Sequence, residues 1–268
     1  MNSASEFVLE ARALSKTYTQ GKWWQKKFHC HAVDNVSFAL RPHETLALVG
    51  ESGCGKTTLA MCLVGLETPD SGEILIDGTN PQSLAKSERT SVRREIQLVF
   101  QDSAGALNPR MSALEIVEEP LLLQGRTRSQ RRELAAQKME DVGISAKWGH
   151  RLPHEFSGGQ RQRLAIARTL VLKPKVLILD EVFVGLDLSI QGQIANLLVD
   201  LQEVHGLSYI CISHNLALAA HFADTIAIID HGRIVEKGSA EEFQRQYLMA
   251  PALTASRPDV ALSARCGA

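Results

Sequence analysis

The sequence predicts an α/β fold with a mostly parallel sheet at its core, and three stretches of the chain support this prediction. Each is a short apolar run, typical of a buried strand, that leads into glycine, carboxylate or imidazole residues. The three runs cover residues 46–49, 176–179 and 209–212. Buried strands that end in polar groups are typical of parallel sheets, which bind ligands at the carboxyl edge of their strands.

The loop after the first run fits the phosphate-loop pattern G-x-x-x-x-G-K-[ST]. Its residues are Gly50, Glu51, Ser52, Gly53, Cys54, Gly55, Lys56, Thr57 and Thr58. A helix is expected from Thr57 onward, with Leu59, Leu63 and Leu66 on one face. The backbone N–H groups of such a loop, together with the helix N-terminus, bind phosphate. Lys56 is therefore expected at the outer phosphates of a nucleotide, and the Thr57 hydroxyl at Mg²⁺.

Residues 6–40 contain apolar and polar side chains in alternation, which predicts strands of an antiparallel β-region. Tyr18 is a candidate for stacking on a nucleotide base, although aromatic residues in strands are more often structural. A basic insertion at residues 20–27 carries Trp23 and Trp24, which could touch lipid headgroups or a partner, or lie in a solvated loop. The His-Cys-His run at residues 29–31 is a weak metal motif because it lacks further ligands at metal-site spacing.

Residues 103–172 change character and predict a mostly helical segment. Ser112 and Glu115 form an expected capping box, and Ser129 is the expected cap of a helix that runs to Gly143. Four arginines occur between positions 126 and 132. Acidic residues follow them closely, which favours a solvated helix face over contact with nucleic acid.

Two further groups of residues indicate phosphate chemistry. Ser157, Gly158 and Gly159 precede a predicted helix, so they form a second candidate anion site at its N-terminus. Asp180 and Glu181 follow the second buried run, at the edge where ligands are expected. Asp180 suits a direct or indirect Mg²⁺ role, and Glu181 is placed where it could activate a water molecule.

The last third of the chain contains one candidate site residue, His214, and the patterns of a hairpin and a helix. His214 follows the third buried run, where a lone histidine is more often structural than functional. Residues 225–235 predict a hairpin that turns at residues 230–232, and residues 241–248 predict a helix.

The composition is that of an ordinary globular protein: 268 residues, of which 44 % are hydrophobic and 22 % charged, with a net charge of -1. This charge argues against a bulk electrostatic attraction to nucleic acid. No apolar run approaches the roughly 20 residues that span a bilayer, and no secretory signal is expected at the N-terminus. The five cysteines are scattered, which predicts reduced thiols in a cytosolic protein rather than a disulfide framework.

The motifs occur in a fixed order along the chain: Tyr18, the loop at residues 50–58, Gln101, the Ser-Gly-Gly-Gln run at residues 157–160, Asp180, Glu181, Asp187 and His214. In this order they resemble the ATP-binding subunit of an ABC transporter over roughly residues 7–245. The resemblance implies one cassette at residues 6–246, with a phosphate-loop, RecA-like core at residues 6–102 and 173–246. An N-terminal antiparallel β-subdomain and an α-helical subdomain inserted at residues 103–172 complete it, and residues 247–268 are expected to be a flexible tail.

The resemblance also implies a role for each matching residue. Tyr18 would stack on adenine, and Gln101 would contact Mg²⁺ and link the nucleotide to a membrane partner. Glu181 would polarise the attacking water, His214 would contact the γ-phosphate, and Asp187 would lie in the loop that couples two sites.

The same resemblance implies a dimer with ATP between its subunits. Ser157, Gly158, Gly159 and Gln160 would hold the γ-phosphate of ATP bound to the opposite subunit. This agrees with the two anion sites predicted from the residues alone. The Mg²⁺ ligands implied in this way are Thr57, Gln101 and Asp180.

Residues 101–111, and residues 65–66 followed by the D-S-G-E turn at residues 70–73, resemble the peptide, nickel and opine importer branch of the family. Within that branch the short C-terminus resembles the nickel or metallophore type. The implied function is ATP hydrolysis that powers uptake of a peptide, nickel or metal chelate, or opine. The alternative is a soluble ABC ATPase that acts on nucleic acid or translation.

The importer reading implies several partners and a location. The partners are a second ATPase subunit, identical or paralogous, two membrane permeases, and a periplasmic or extracellular solute-binding protein. Nucleic acid is not among them. The chain would be a peripheral protein at the cytoplasmic face of the inner or plasma membrane.

The chain departs from the family after Glu181. Residues 182–187 are Val-Phe-Val-Gly-Leu-Asp, where Pro-Thr-Ser-Ala-Leu-Asp is usual. The loss of proline and the gain of Gly185 predict a looser turn, while Phe183 and Val184 replace small polar residues with bulk. Asn215 stands where aspartate is common. These changes concern the coupling between sites and leave the ATPase assignment unchanged.

Overall fold

The computed structural model describes residues 5–20, 28–101 and 105–248. Its strands are β1 (Leu9–Gln20), β2 (Phe28–Leu40), β3 (Thr45–Val49), β4 (Ser71–Ile76), β5 (Ile96–Val99), β6 (Val176–Asp180), β7 (Ser208–Ser213), β8 (Thr225–Asp230) and β9 (Arg233–Ser239). Its α-helices are α1 (Lys56–Leu63), α2 (Lys86–Arg94), α3 (Ala113–Glu118), α4 (Arg128–Asp141), α5 (Gly158–Leu170), α6 (Leu188–His205), α7 (Leu216–Phe222) and α8 (Ala240–Phe243). Shorter helical turns lie at Pro81–Ser83, Glu119–Gln124, Ala146–Trp148, Pro153–Glu155 and Gln244–Leu248.

The strands form two sheets of different kinds. β1 pairs antiparallel with β2 and β4 in a three-stranded sheet. The larger sheet has the order β5-β6-β7-β3-β8-β9, and its neighbours are parallel except for the antiparallel pair β8 and β9. The predicted α/β class, with a mostly parallel core and an antiparallel N-terminal sheet, is confirmed.

The strand order explains how distant parts of the sequence reach one site. β6, β7 and β3 are consecutive in the parallel sheet, and all three are buried along their length. The phosphate loop follows β3, Glu181 follows β6, and His214 follows β7. Because the carboxyl ends of parallel strands share one edge, these three loops lie side by side.

Helices α3, α4 and α5 pack against one another, and their buried residues continue into the core beneath β6 and β7. The Ser112 capping box is present, with Glu115 Oε2 accepting from the Ser112 backbone N–H at 2.8 Å. The expected cap at Ser129 is wrong. α4 begins at Arg128, and Thr127 caps it by accepting from Gln130 N at 3.3 Å. Gln130 returns the bond at 3.1 Å, a reciprocal pair that Thr127 has and Ser129 lacks.

One helix is shorter than the sequence predicts. α1 ends at Leu63, and Gly65 follows with a left-handed φ of 71°. Leu66 is 64 % exposed and does not share the buried face of Leu59 and Leu63. Glycine stops the helix here because it adopts this conformation without steric cost.

The predicted hairpin at residues 225–235 is present as β8 and β9, and α8 with the following turn occupies the helix predicted at residues 241–248. In the described ranges, no helix combines the length and the apolar character needed to cross a membrane. Trp23, Trp24 and residues 249–268 of the predicted flexible tail lie outside the described residues. In the His-Cys-His run, the Nδ1 atoms of His29 and His31 lie within 3.2 and 3.0 Å of the hydroxyls of Thr19 and Thr17.

Candidate nucleotide site

The phosphate loop is closed in by backbone from two other segments. A Cβ atom on Gly50 would lie 2.2 Å from the Ile229 carbonyl oxygen, and one on Gly55 would lie 1.8 Å from that of Ala32. Gly55 also has a φ of 105°, which side chains rarely tolerate. Glycine is required at both positions because no side chain fits. Ala32 was not singled out from the sequence, since a contact made by a backbone carbonyl leaves no residue-type signal.

Lys56 is held inside the loop that precedes it. Lys56 is only 4 % exposed, and its Nζ atom donates to the carbonyl oxygens of Gly50 at 2.8 Å and Glu51 at 2.7 Å. These acceptors are neutral carbonyl groups, so they do not offset the positive charge that an anion in the loop would meet. Cys54 Sγ lies 3.7 Å from the same Nζ.

Asp180 lies at the end of β6 and is almost completely buried. Its Oδ1 atom has no hydrogen-bond partner among the described residues. Burial raises the pKa of Asp180, and the charge of Glu181 adds to this, whereas a hydrogen bond with Thr57 and the charge of Lys56 lower it. An unpartnered carboxylate oxygen beside a hydroxyl is a donor set that suits a hard divalent cation such as Mg²⁺. The residues present therefore fit the metal that the sequence predicts.

Glu181 follows Asp180 in an unusual backbone conformation, with a φ of 49°. Its Oε1 atom lies 3.6 Å from His214 Nδ1, across the gap between the ends of β6 and β7. The His214 side chain is 56 % exposed, so one face of this pair is open to solvent. At this separation the carboxylate and the imidazole are close neighbours but lie too far apart for a direct hydrogen bond.

Lys56 and Glu181 lie at a cleft of about 200 Å³, whereas Asp180 and His214 are not part of its lining. Its lining consists of Tyr18, Ala32, Ser52, Gly53, Gly55, Lys56, Thr57, Thr58, Gln101 and Glu181. Residues from five separate parts of the sequence thus meet at one cavity, and nine of the ten lining residues were predicted. Tyr18 reaches it from β1 and Gln101 from the turn after β5.

The Ser-Gly-Gly-Gln run does not line this cleft. Ser157 Oγ caps α5 by accepting from Gln160 N at 3.3 Å, and Gln160 Oε1 accepts from Ser157 N at 2.9 Å. Ser157 and Gly158 are exposed. The run therefore presents a capped helix N-terminus to the solvent, separate from the phosphate loop of the same chain.

Asp187 also lies away from the cleft, at the start of α6. Its Oδ1 atom accepts from Ile190 N at 2.9 Å, so in this chain it acts as a helix cap. A Cβ atom on Gly159 would lie 2.8 Å from Ile190 Cγ2. The first turns of α5 and α6 are therefore in close contact, and the Asp187 loop adjoins the exposed N-terminus of α5.

The turn after Glu181 is better anchored than the loss of proline predicts. Val182 and Phe183 are 2 % and 3 % exposed. Gln191 Nε2 donates to the carbonyl oxygens of Phe183 and Leu186, both at 3.1 Å. Sequence reasoning missed Gln191, because its role depends on the α6 side chain folding back over the turn.

The parallel core, the phosphate loop and the acidic strand end together define an ATPase of the phosphate-loop class. Residues 33–184 match the model of the family described as ABC transporter, and the chain belongs to this family. ATP binding and hydrolysis are accordingly its activity.

The chain is similar to the probable peptide ABC transporter ATP-binding protein y4tS of Sinorhizobium fredii, with 46 % identity over 235 residues, 87 % of this chain and 67 % of that protein. It is similar to the di/tripeptide transport ATP-binding protein DppF of Pseudomonas aeruginosa, with 44 % identity over 239 residues, 88 % of this chain and 74 % of that protein. A solved structure, the dimeric post-hydrolysis state of the ATP-binding cassette MJ0796 bound to ADP and Pi, superposes with a TM-score of 0.75 and 29 % identity. It covers 87 % of this chain and 98 % of that one.

Proposed function

We propose that this chain powers the uptake of small peptides by hydrolysing ATP for a membrane importer. The observation that carries the ATPase role is the meeting of Lys56, Asp180, Glu181 and His214 at one edge of the parallel sheet. The relatives y4tS and DppF are both named for peptide transport, which supports a peptide over the other solutes. The nickel or metallophore type stays a prediction.

ATP binds first through its phosphates. The amides of the loop at residues 50–58 and the Lys56 ammonium surround the outer phosphates, where α1 adds the positive end of its dipole. Tyr18 lies at the same cleft and offers its ring to the adenine base. Thr57, Gln101 and Asp180 would hold Mg²⁺, which neutralises charge on the phosphates when bound.

Hydrolysis needs a positioned water and stabilisation of charge on the γ-phosphate. Glu181 is the residue whose carboxylate can orient this water and accept its proton. His214 lies 3.6 Å from that carboxylate and is exposed on the open side, where it can contact the γ-phosphate. The protein therefore contributes positioning of the water, acceptance of its proton and stabilisation of charge, and forms no covalent bond with the nucleotide.

A second ATPase subunit, identical or paralogous, completes the site. In the cap formed by Ser157, Gly158, Gly159 and Gln160, the first two residues are exposed and the other two are half-buried, and the run does not line its own chain's cleft. An anion bound to a partner fits this N-terminus. The dimeric arrangement of the MJ0796 cassette with ADP and Pi supports this proposal. Asp187 would adjoin the junction between the two subunits.

Membrane permeases are the partners proposed for a groove beside Gln101. This groove, of about 400 Å³, is lined by β5, the turn at Glu119–Gln124 and α5. Phe100 and Leu123 are 41 % and 86 % exposed at it, and Glu119 pairs with Arg168 at 2.8 Å on its wall. An apolar groove with a charged rim suits a short amphipathic helix. The chain would then act at the cytoplasmic face of the membrane, with a periplasmic or extracellular binding protein on the other side.

The test is peptide uptake in a strain that lacks the gene for this chain. We expect loss of uptake of a labelled dipeptide, unchanged uptake of labelled nickel, and rescue by the wild-type gene but not by Lys56→Ala. Normal dipeptide uptake in the deletion strain would contradict the peptide assignment. The relatives offer no support for the alternative function on nucleic acid or translation.

A further inference from the structure

An aromatic contact joins the turn after Glu181 to the segment after His214. The rings of Phe183 and Phe222 have centroids 6.0 Å apart and planes at 74°, an edge-to-face arrangement. Phe222 also stacks on Tyr209, with centroids 5.9 Å apart. We call these three residues the aromatic cluster. Phe183 and Tyr209 are buried, and Phe222 packs against the same core.

The aromatic cluster includes one residue from the strand before His214 and one from the helix after it. Tyr209 lies in β7, the strand that ends just before His214, and its hydroxyl donates to Leu198 O of α6 at 2.7 Å. Phe222 is the last residue of α7, the helix that begins just after His214. The side chain of His214 is 56 % exposed and has little packing of its own. Its position therefore depends on how β7 and α7 are held.

Glu181 needs external support for a different reason. Its φ of 49° is uncommon for a residue other than glycine and persists only when neighbouring structure holds it. Its N–H donates to Ile212 O at 3.1 Å, and its carbonyl accepts from Val184 N at 3.0 Å. These bonds fix it to β7 and to its own turn. Phe183 supplies the contact that extends from this turn to α7.

We propose that Phe183 is a positioning residue for ATP hydrolysis. Through its edge-to-face contact with Phe222, Phe183 keeps Glu181 and His214 at their 3.6 Å separation. Glu181 can then orient the water while His214 contacts the γ-phosphate. This rests on the proposed roles of Glu181 and His214 in hydrolysis. Phe183 does not line the nucleotide cleft, so its effect falls on turnover and not on ATP binding.

The first test replaces each side of the contact. Phe183→Leu and Phe222→Leu each keep an apolar side chain but remove one of the two rings that form the edge-to-face contact. Each should lower kcat about fivefold, in the range of contacts that couple neighbouring residues, with the KM for ATP within about twofold of wild type. Phe38→Leu is the matched control, since Phe38 is 6 % exposed in β2 and belongs to a different core cluster. It should leave kcat unchanged, and thermal melting checks that every variant is folded.

The second test asks whether Phe183 acts through His214. Single-turnover hydrolysis by the full-length chain is measured for Phe183→Leu, for His214→Ala and for the double variant. The Phe183→Leu effect should shrink to less than about twofold in the His214→Ala background, because the geometry it maintains is already lost. An equal loss in both backgrounds, or no loss in kcat at all, would overturn the proposal.

Phe222→Leu keeps the proposal falsifiable if Phe183→Leu does not fold. It should show the same kcat loss and the same dependence on His214, and an effect independent of His214 would count against the positioning role. A parallel assay of Glu181→Gln separates the two proposals. Full hydrolysis by Glu181→Gln would remove the proposed role of Glu181, whereas failure of the double-variant test alone would remove only that of Phe183.

Discussion

Glu181 Oε1 and His214 Nδ1 lie 3.6 Å apart, although the two residues are separated in sequence by α6 and β7. The pairing follows from the sheet, since β6 and β7 are neighbours and Asp180 is in register with Ile212. Both residues directly follow the paired part of their strands. The parallel sheet thus fixes the backbone around the site, and the loops determine how the side chains face one another.

The Lys56 ammonium is expected to be the main source of ATP affinity in the phosphate loop. Lys56→Ala removes the charge that Gly50 and Glu51 carbonyls hold in place, so ATP binding should weaken by about tenfold or more. Titration with a fluorescent ATP analogue measures this directly. Arg41→Ala, at an exposed surface position, is the control for loss of one positive charge. Equal affinity in Lys56→Ala and Arg41→Ala would argue against the loop as the nucleotide site.

Gly158 and Gly159 offer a matched pair for testing the cap of α5. A Cβ atom on Gly158 meets nothing within 4 Å, so Gly158→Ala should leave the free energy of unfolding unchanged or raise it by up to about 0.5–1 kcal/mol. The methyl group would nevertheless occupy the exposed cap where the partner's phosphate is proposed to bind. ATP-driven dimerisation, measured by light scattering, should therefore fall in a fully stable variant.

The adjacent substitution should act differently. Gly159→Ala would bring a methyl group within 2.8 Å of Ile190 Cγ2, so it should lower stability by about 1–3 kcal/mol through overpacking. Thermal melting separates the two variants. Normal dimerisation by Gly158→Ala would contradict the proposed role of the cap.

The cap of α4 can be tested by two alanine substitutions that are close in sequence. Thr127→Ala removes the hydroxyl that accepts from Gln130 N, while the backbone N–H that donates to Gln130 Oε1 remains, and it should lower the free energy of unfolding by about 1 kcal/mol. Ser129→Ala, inside the first turn of the helix, should have little effect. Urea unfolding of both variants measures the difference. A larger loss in Ser129→Ala would mean that the helix begins later than described.

His205 should make stability depend on pH. Burial lowers the pKa of His205 below its ordinary value of 6.5, and the charge of Lys138 adds to this, while Asp141 at 3.1 Å opposes it. The folded state therefore favours neutral histidine, and the unfolded state binds the proton more readily. Stability from this residue is complete above pH 6.5 and is lost as the pH falls toward the lowered pKa.

The measurement is the free energy of unfolding from about pH 7.5 to 5, for wild type and for His205→Gln. The glutamine variant should show a smaller decrease over this interval, because it carries no titrating group there. Parallel curves for the two proteins would contradict the lowered pKa.

The phosphate loop and the acidic strand end could be predicted from sequence because local residue types define them. Lys56, Asp180 and Glu181 each follow a recognisable apolar strand, and parallel sheets place such ends together. The closure of the loop by the Ala32 carbonyl could not be predicted, because any residue supplies a carbonyl.

The errors have similar physical causes. Leu66 continued the helical pattern of apolar residues, but the left-handed Gly65 ended the helix before it. Loss of proline after Glu181 predicted a loose turn, but burial of Phe183 and two bonds from Gln191 anchor it. Both outcomes depend on tertiary contacts or on backbone conformations that compete with a local pattern.

The most direct test of the ATPase mechanism compares ATP hydrolysis and ATP binding by Glu181→Gln with those of the wild-type chain. Glutamine keeps the size of the side chain but cannot accept the proton of the attacking water. Hydrolysis should fall by about 10²–10⁴-fold while affinity for Mg-ATP stays within about twofold. Hydrolysis by Glu181→Gln at the wild-type rate would contradict the central claim that the carboxylate at the end of β6 activates the water.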